Sequence, residues 1–275
     1  MVSSSPIAAS KDSAAISAAA AVSGVSVIPQ LWPAKGAAVK LDVALFVDSI
    51  AVMFVGHFAP ALVAATRPRA PGLGTLFVAA QLVDIGFAAL LIPGVEAMRV
   101  VPGITAMNPM DLYHMPYTHS LLGALLWGAA FGALVGAITR RRAAALLTAL
   151  VVVSHWFVDL IVHIPDLTLY GAPPKFGFGL WNYPLAEMPL EIGLTAAAMI
   201  YYARRTSAPT GNRRLWILGG LLAAVQAVDW FGAKAPDYSI EIPLTMLAAY
   251  IVLALVAAWA GANRAVVMAQ EEAST

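Results

Sequence analysis

Long apolar runs, each close to the length of a lipid-spanning helix, divide this chain of 275 residues. They cover roughly 42–65, 73–92, 119–139, 143–164, 185–203, 214–232 and 241–260. Runs of about 20 residues at 1.5 Å rise per residue match a hydrocarbon core about 30 Å thick. In lipid such runs satisfy their backbone groups as helices, and the ten-residue alternation of barrel strands is absent. The pattern predicts an all-α fold: a polytopic helical membrane protein with about seven transmembrane helices.

The segment ahead of the first run reads differently. Residues 1–40 are rich in Ala and Ser, and their apolar stretch, 13–28, is too short to span. They are expected to form a mobile N-terminal tail. Helices 1–5 then occupy 41–205, helices 6–7 occupy 206–262, and 263–275 form a C-terminal tail. Composition sharpens the membrane reading. The chain is 60% hydrophobic and only 11% charged, against about 25% charged in soluble domains. A net charge of +1 gives no basis for nucleic-acid binding, and the lack of cysteine excludes disulfides, thiolate ligands and a cysteine nucleophile.

Charge placement sets the expected orientation. Arg67, Arg69, Arg140, Arg141, Arg142, Arg204, Arg205, Arg213, Arg214 and Arg264 follow the first, third, fifth and seventh runs. By the positive-inside rule these ends are cytoplasmic, which puts the N-terminus outside and the C-terminus in the cytoplasm. The longer loops 93–118, 165–184 and 233–240 are then external, and they carry Glu96, Asp111, Asp166 and Asp237.

Ionisable residues inside spans are costly and mark function by default. All five histidines lie between His57 and His163. In 154–166, His155, Asp159 and His163 recur at i, i+4 and i+8, so they stack on one helix face, and Asp166 continues the row. An imidazole and a carboxylate at i, i+4 can clamp a divalent ion. In 113–123, Thr118 or Ser120 can cap the third span, leaving His119 at its outer end on the same membrane side as Asp159 and His163, with His114 five residues earlier. Asp84 lies within the second span, where no Lys or Arg is available as partner, and His57 lies within the first. Glu187 and Glu191 share a face at the outer start of the fifth span.

At these residues the sequence resembles the YdjM-like bacterial inner-membrane family of membrane-bound metal-dependent hydrolases. That family's pattern is an early His, an Asp-containing turn or helix, a His-Arg-Gly-x-x-His-Ser-like stretch and a Ser-His-x-x-x-Asp motif. Here His57, Asp84, His114 with Thr118-His119-Ser120, and Ser154-His155-x-x-x-Asp159 stand in those positions. Tyr170-Gly171 through Trp181-Asn182-Tyr183-Pro184 is similar to the family's aromatic loop, and the resemblance covers about 50–200. Met115-Pro116 replaces the Arg-Gly, and Val83-Asp84-Ile85-Gly86 replaces a Pro-Asp-x-Asp. The helical His-x-x-x-Asp ligands are also loosely akin to those of zinc-dependent phospholipases C.

The leading expectation is a hydrolase embedded in the inner (plasma) membrane, acting on a lipid or phosphoester at the outer leaflet. Its metal ligands would be His57, Asp84, His119, His155 and Asp159, with zinc as the expected ion. His114 or His163 would act as general base or acid, and Glu191 as a ligand or orienting group. The alternatives are a transporter or channel passing protons or metal ions along the polar row, and a structural protein in which that row staples helices.

Overall fold

The computed structural model describes residues 55–209 and 211–267. The expected tail 1–40, most of the first span with Asp48, and the C-terminal residues from 268 lie outside the described residues. A 3-10 turn, Val55–His57, leads into α1 (Phe58–Ala64). Two short helices, α2 (Leu73–Ala80) and α3 (Leu82–Leu91), meet at Gln81 with a bend of 54°. An antiparallel hairpin of β1 (Ala97–Val100) and β2 (Met110–His114) follows. Then come α4 (Leu121–Thr139) and α5 (Arg142–Val162). The pair β3 (Leu167–Thr168) and β4 (Lys175–Phe176) and a 3-10 turn, Leu180–Asn182, precede α6 (Pro184–Arg205). Then follow β5 (Thr206–Ser207), α7 (Arg213–Phe231), α8 (Glu241–Gly261) and β6 (Ala265–Val266), which pairs with β5.

The fold is mostly helical, and the hairpins occupy segments expected as plain loops. Among the described residues α4, α5, α7 and α8 are long and apolar enough to cross a membrane, and α2 with α3 makes a fifth if that pair is one broken span. Helix α6 has the length, at 22 residues, but Glu187, Glu191, Arg204 and Arg205 keep it out of that set. Large apolar side chains on the outer faces have no protein cover: Leu126 is 62%, Ile138 73% and Leu255 64% exposed. An uncovered apolar surface of this kind suits lipid and not water.

Small residues draw the helices together and so position the site. Helix α4 starts under a Ser120 cap, whose hydroxyl accepts from Gly123 N at 2.9 Å. Its glycines at 128, 132 and 136 face α5, where a Cβ added at Gly132 would sit 2.7 Å from the Ala145 carbonyl oxygen. Such small-residue stripes let membrane helices approach closely. Arg140, in the left-handed region at φ 56°, turns the chain tightly between α4 and α5. The start of α4, with His119, is thereby set against the end of α5, with His155 and Asp159. Gly74 does the same between α2 and α8, where an added Cβ would lie 2.6 Å from Ala258 Cβ.

Candidate metal centre

Four segments bring five predicted residues into one buried cluster. His57 comes from the turn before α1, Asp84 from the first turn of α3, His119 from just before α4, and His155 and Asp159 from α5. His57, His119, His155 and Asp159 are 4% exposed or less. His163 caps α5 at its C-terminus and joins the cluster edge.

Both aspartates have one oxygen anchored and one turned inward. Asp84 Oδ2 accepts from the Tyr250 hydroxyl of α8 at 3.0 Å. Its Oδ1 lies 3.3 Å from His119 Nε2 and 3.4 Å from His155 Nε2. Asp159 Oδ1 bonds His57 Nε2 at 2.9 Å and lies 3.5 Å from His163 Nε2. Asp159 Oδ2 lies 3.2 Å from His155 Nε2 and 3.7 Å from His119 Nε2. Neither Asp159 Oδ2 nor His155 Nε2 has a hydrogen-bond partner, although both are buried.

The histidines are held by their other nitrogens. The bend at Gln81 leaves the Ala80 carbonyl to accept from His155 Nδ1 at 2.7 Å. His119 Nδ1 lies 2.9 Å from Thr118 Oγ1, whose own hydroxyl proton goes to Glu96 Oε2 at 2.6 Å. That leaves the Thr118 oxygen as acceptor and the proton of the contact on His119 Nδ1. His163 Nδ1 bonds Asp166 Oδ1 at 2.9 Å. With Nδ1 as the donor, a neutral His119 or His155 presents an Nε2 lone pair to a carboxylate oxygen. Two acceptors face each other there, and a cation between them resolves the conflict. Anchoring the remote nitrogen this way is the usual support for metal-bound histidine.

The distances fit a small ion. Donors about 2.0–2.2 Å from a tetrahedral ion are separated by about 3.3–3.6 Å, and the four inward N–O separations run from 3.2 to 3.7 Å. Two triads bring their donor atoms within 4.8 Å of one another: Asp84, His119 and His155, and also His57, His155 and Asp159. Ring geometry separates them. Two imidazoles aimed at one ion place their centroids about 5.3–5.6 Å apart, with the ion in both ring planes. His119 and His155 are 5.8 Å apart and inclined at 74°. His57 and His155 stack at 4.0 Å and 21°, so both cannot point a lone pair at the same ion without turning.

A cavity of about 50 Å³ adjoins the cluster, bordered by Asp84, His119, Asp159, His163 and Trp181. That exceeds the roughly 10–15 Å³ one water requires. Glu187 and Glu191 also border it, so Glu191 is placed beside the centre and not among its inward donors.

His114 is the exception among the predicted residues. It lies on β2 opposite Ala97 and is exposed, away from the cavity. Five residues separate it from His119, but His114 is exposed on its strand and the chain turns at Pro116 before reaching His119. Sequence reasoning gave no role to Glu96, Thr118 Oγ1 as a relay, or Tyr250. Glu96, 22 residues ahead of Thr118 with Asp111 between them, gave no local signal for the first two. Tyr250 gave none, since it reaches Asp84 across 166 residues.

Fold and site together define a chain with apolar helices able to cross a membrane and a buried His/Asp group that could hold a metal ion. No family model matches it, and neither the curated proteins nor the solved structures yield a match.

Proposed function

We propose that the chain is a seven-helix protein of the plasma membrane that hydrolyses a phosphoester or lipid at the outer leaflet with a bound divalent metal, and that it belongs with the YdjM-like hydrolases. The observation carrying this reading is that the buried Nε2 atoms of His119 and His155, each ring fixed through Nδ1, face Asp84 Oδ1 and Asp159 Oδ2, with Asp159 Oδ2 and His155 Nε2 buried without a partner. The ligands are Asp84 Oδ1, His119 Nε2, His155 Nε2 and Asp159 Oδ2. A mixed set of imidazole and carboxylate suits zinc. His57 holds Asp159 from its far oxygen and is not itself a ligand.

Zinc in this position would supply Lewis acidity and lower the pKa of a bound water toward about 7. His163, steadied by Asp166, borders the cavity as the group to accept the water's proton and return it to the leaving alcohol. In the net reaction the water oxygen bonds to phosphorus, the phosphorus–alcohol oxygen bond breaks, and the alcohol leaves with a proton.

Metal analysis of the purified chain tests the first step. About one zinc per chain is expected. His119→Gln should lose it while still inserting and folding, and added zinc should raise the thermal midpoint of the wild type but not of the variant. Wild type without metal after chelator-free preparation, or equal zinc responses in both proteins, overturns the reading and leaves a helix staple.

A further inference from the structure

The cavity beside the metal centre has a second polar wall that the hydrolysis scheme does not use. Glu187 and Glu191, one helical turn apart on α6, are 1% and 0% exposed. Their carboxyls are neighbours on the cavity wall. Glu191 Oε1 has a long contact from Gly56 N, at 3.5 Å, while Oε2 of each glutamate is buried without a partner. Asp229, near the end of α7, borders the same cavity and accepts from Gln226 Nε2 at 3.2 Å. Among the described residues no Arg or Lys lines this space, and Lys234 stands outside it, 3.9 Å from Asp229 Oδ1.

Two adjoining buried carboxylates with unfilled oxygens require a proton or a cation. The lining favours an organic cation over a second metal. Among the described residues, two groups bring three donors within 4.8 Å, and Glu187, Glu191 and Asp229 are not one of them. An ammonium group tolerates wider spacing, because each N–H···O contact is itself about 2.7–2.9 Å long. Met246, Phe87 and Trp181 line the same cavity, and an ammonium's attached carbons find apolar and aromatic contacts there.

We propose that Glu187 and Glu191 form a subsite for an ammonium group, so that the substrate is a phosphoester whose alcohol carries an amine, as in an ethanolamine-type lipid headgroup. The phosphoester half of this statement rests on the hydrolase reading above; the ammonium half does not. With ester at the metal centre and ammonium at the glutamates, anionic headgroups lacking the amine bind less well.

The test uses the full chain in phosphatidylglycerol nanodiscs, where no lipid amine competes. Thermal midpoint and calorimetric titrations are run with ethanolamine, ethylene glycol, O-phosphoethanolamine and glycerol 3-phosphate. Ethanolamine should bind and ethylene glycol should not. O-phosphoethanolamine should bind at least about tenfold more tightly than glycerol 3-phosphate, the scale of one charge-assisted contact. Glu191→Gln and the Glu187→Gln/Glu191→Gln pair should abolish both preferences at unchanged zinc content. Ethanolamine bound equally by wild type and variants, or by neither, overturns the subsite and leaves a shared proton. A manganese ion taken up beside the zinc by wild type and lost in the variants overturns it in favour of a second metal. Ethanolamine bound through the glutamates with no phosphoester binding leaves the ammonium subsite standing and refutes the phosphoester reading.

Discussion

Thr118→Val isolates the support of the metal centre from its ligands. The Thr118 hydroxyl is buried between Glu96 Oε2 at 2.6 Å and His119 Nδ1 at 2.9 Å, and valine keeps its shape without its oxygen. Two groups then lose a partner. Glu96 retains the backbone N–H groups of Tyr117 and Thr118 on its other oxygen, at 2.8 and 3.0 Å, so it stays in place. His119 loses the acceptor that fixes its tautomer and ring orientation. A stranded buried polar group costs about 1–3 kcal/mol, and loss of a group orienting a metal-bound histidine weakens metal binding about 10–100-fold. Zinc affinity measured by chelator competition should fall by that factor in Thr118→Val and return in Thr118→Ser, which restores the oxygen. Wild-type zinc affinity in a folded Thr118→Val protein would refute the relay. A lowered metal-free midpoint with no change in zinc affinity would reduce Thr118 to a packing role.

Tyr250→Phe frees Asp84 Oδ2 from its anchor, and one lost hydrogen bond of about 0.5–1.5 kcal/mol should appear as a zinc affinity weakened up to about tenfold in the same competition assay. Gly132→Val places a Cβ against the Ala145 carbonyl oxygen and should lower stability by about 1–3 kcal/mol, read as a drop in thermal midpoint in detergent. Single cysteines can be introduced cleanly because the chain has none of its own. An impermeant thiol reagent applied to intact cells should label a cysteine at exposed Tyr170 and spare one at exposed Arg141; the reverse pattern inverts the orientation.

Helical character and the polar cluster were legible for different reasons. The apolar runs are local signals, and 121–139, 142–162 and 241–261 fall close to the expected limits. The break at Gln81 was not legible, because every residue from 73 to 91 except Gln81 and Asp84 fits an unbroken apolar helix, with only Gly and Thr as weaker formers. Its consequence is chemical: the bend supplies His155 with the Ala80 carbonyl. The i, i+4 row on α5 is geometry that a helix period dictates, so His155 and Asp159 could be paired from sequence. Which oxygen of Asp159 faces which histidine depends on His57 and His119 arriving from other helices, and no periodicity encodes that. His57 shows the limit well. It was expected among the ligands and stands in one of the two converging triads; the proposed site uses it to hold Asp159 Oδ1 instead, since it stacks on His155.

The depth of the cluster bears on the choice between hydrolase and transporter. Helices α1, α2 and α5 all have one end near the arginine-rich loops, and the polar residues sit at their other ends. Apolar side chains fill the core of these helices: Phe58 stacks on Phe77 at 4.4 Å, and Leu62, Leu76, Val151 and Val152 are buried in the same core. Between His155 and Arg142 on α5 the buried polar group is Thr148, whose hydroxyl donates back to the Ala144 carbonyl at 2.8 Å. On the opposite side, Met107 and Asn108 border both the metal cavity and a larger vestibule of about 540 Å³, which Thr105 and Lys234 also line. A relay for ions or protons needs polar groups on both sides of the centre. A hydrolase needs one opening, room for water and a dry floor that strengthens the electrostatics of the site. The opening beside Met107 and Asn108 supports the proposed hydrolase over a relay. In the proposed hydrolase, Met107 and Asn108, shared by cavity and vestibule, would flank the substrate's path.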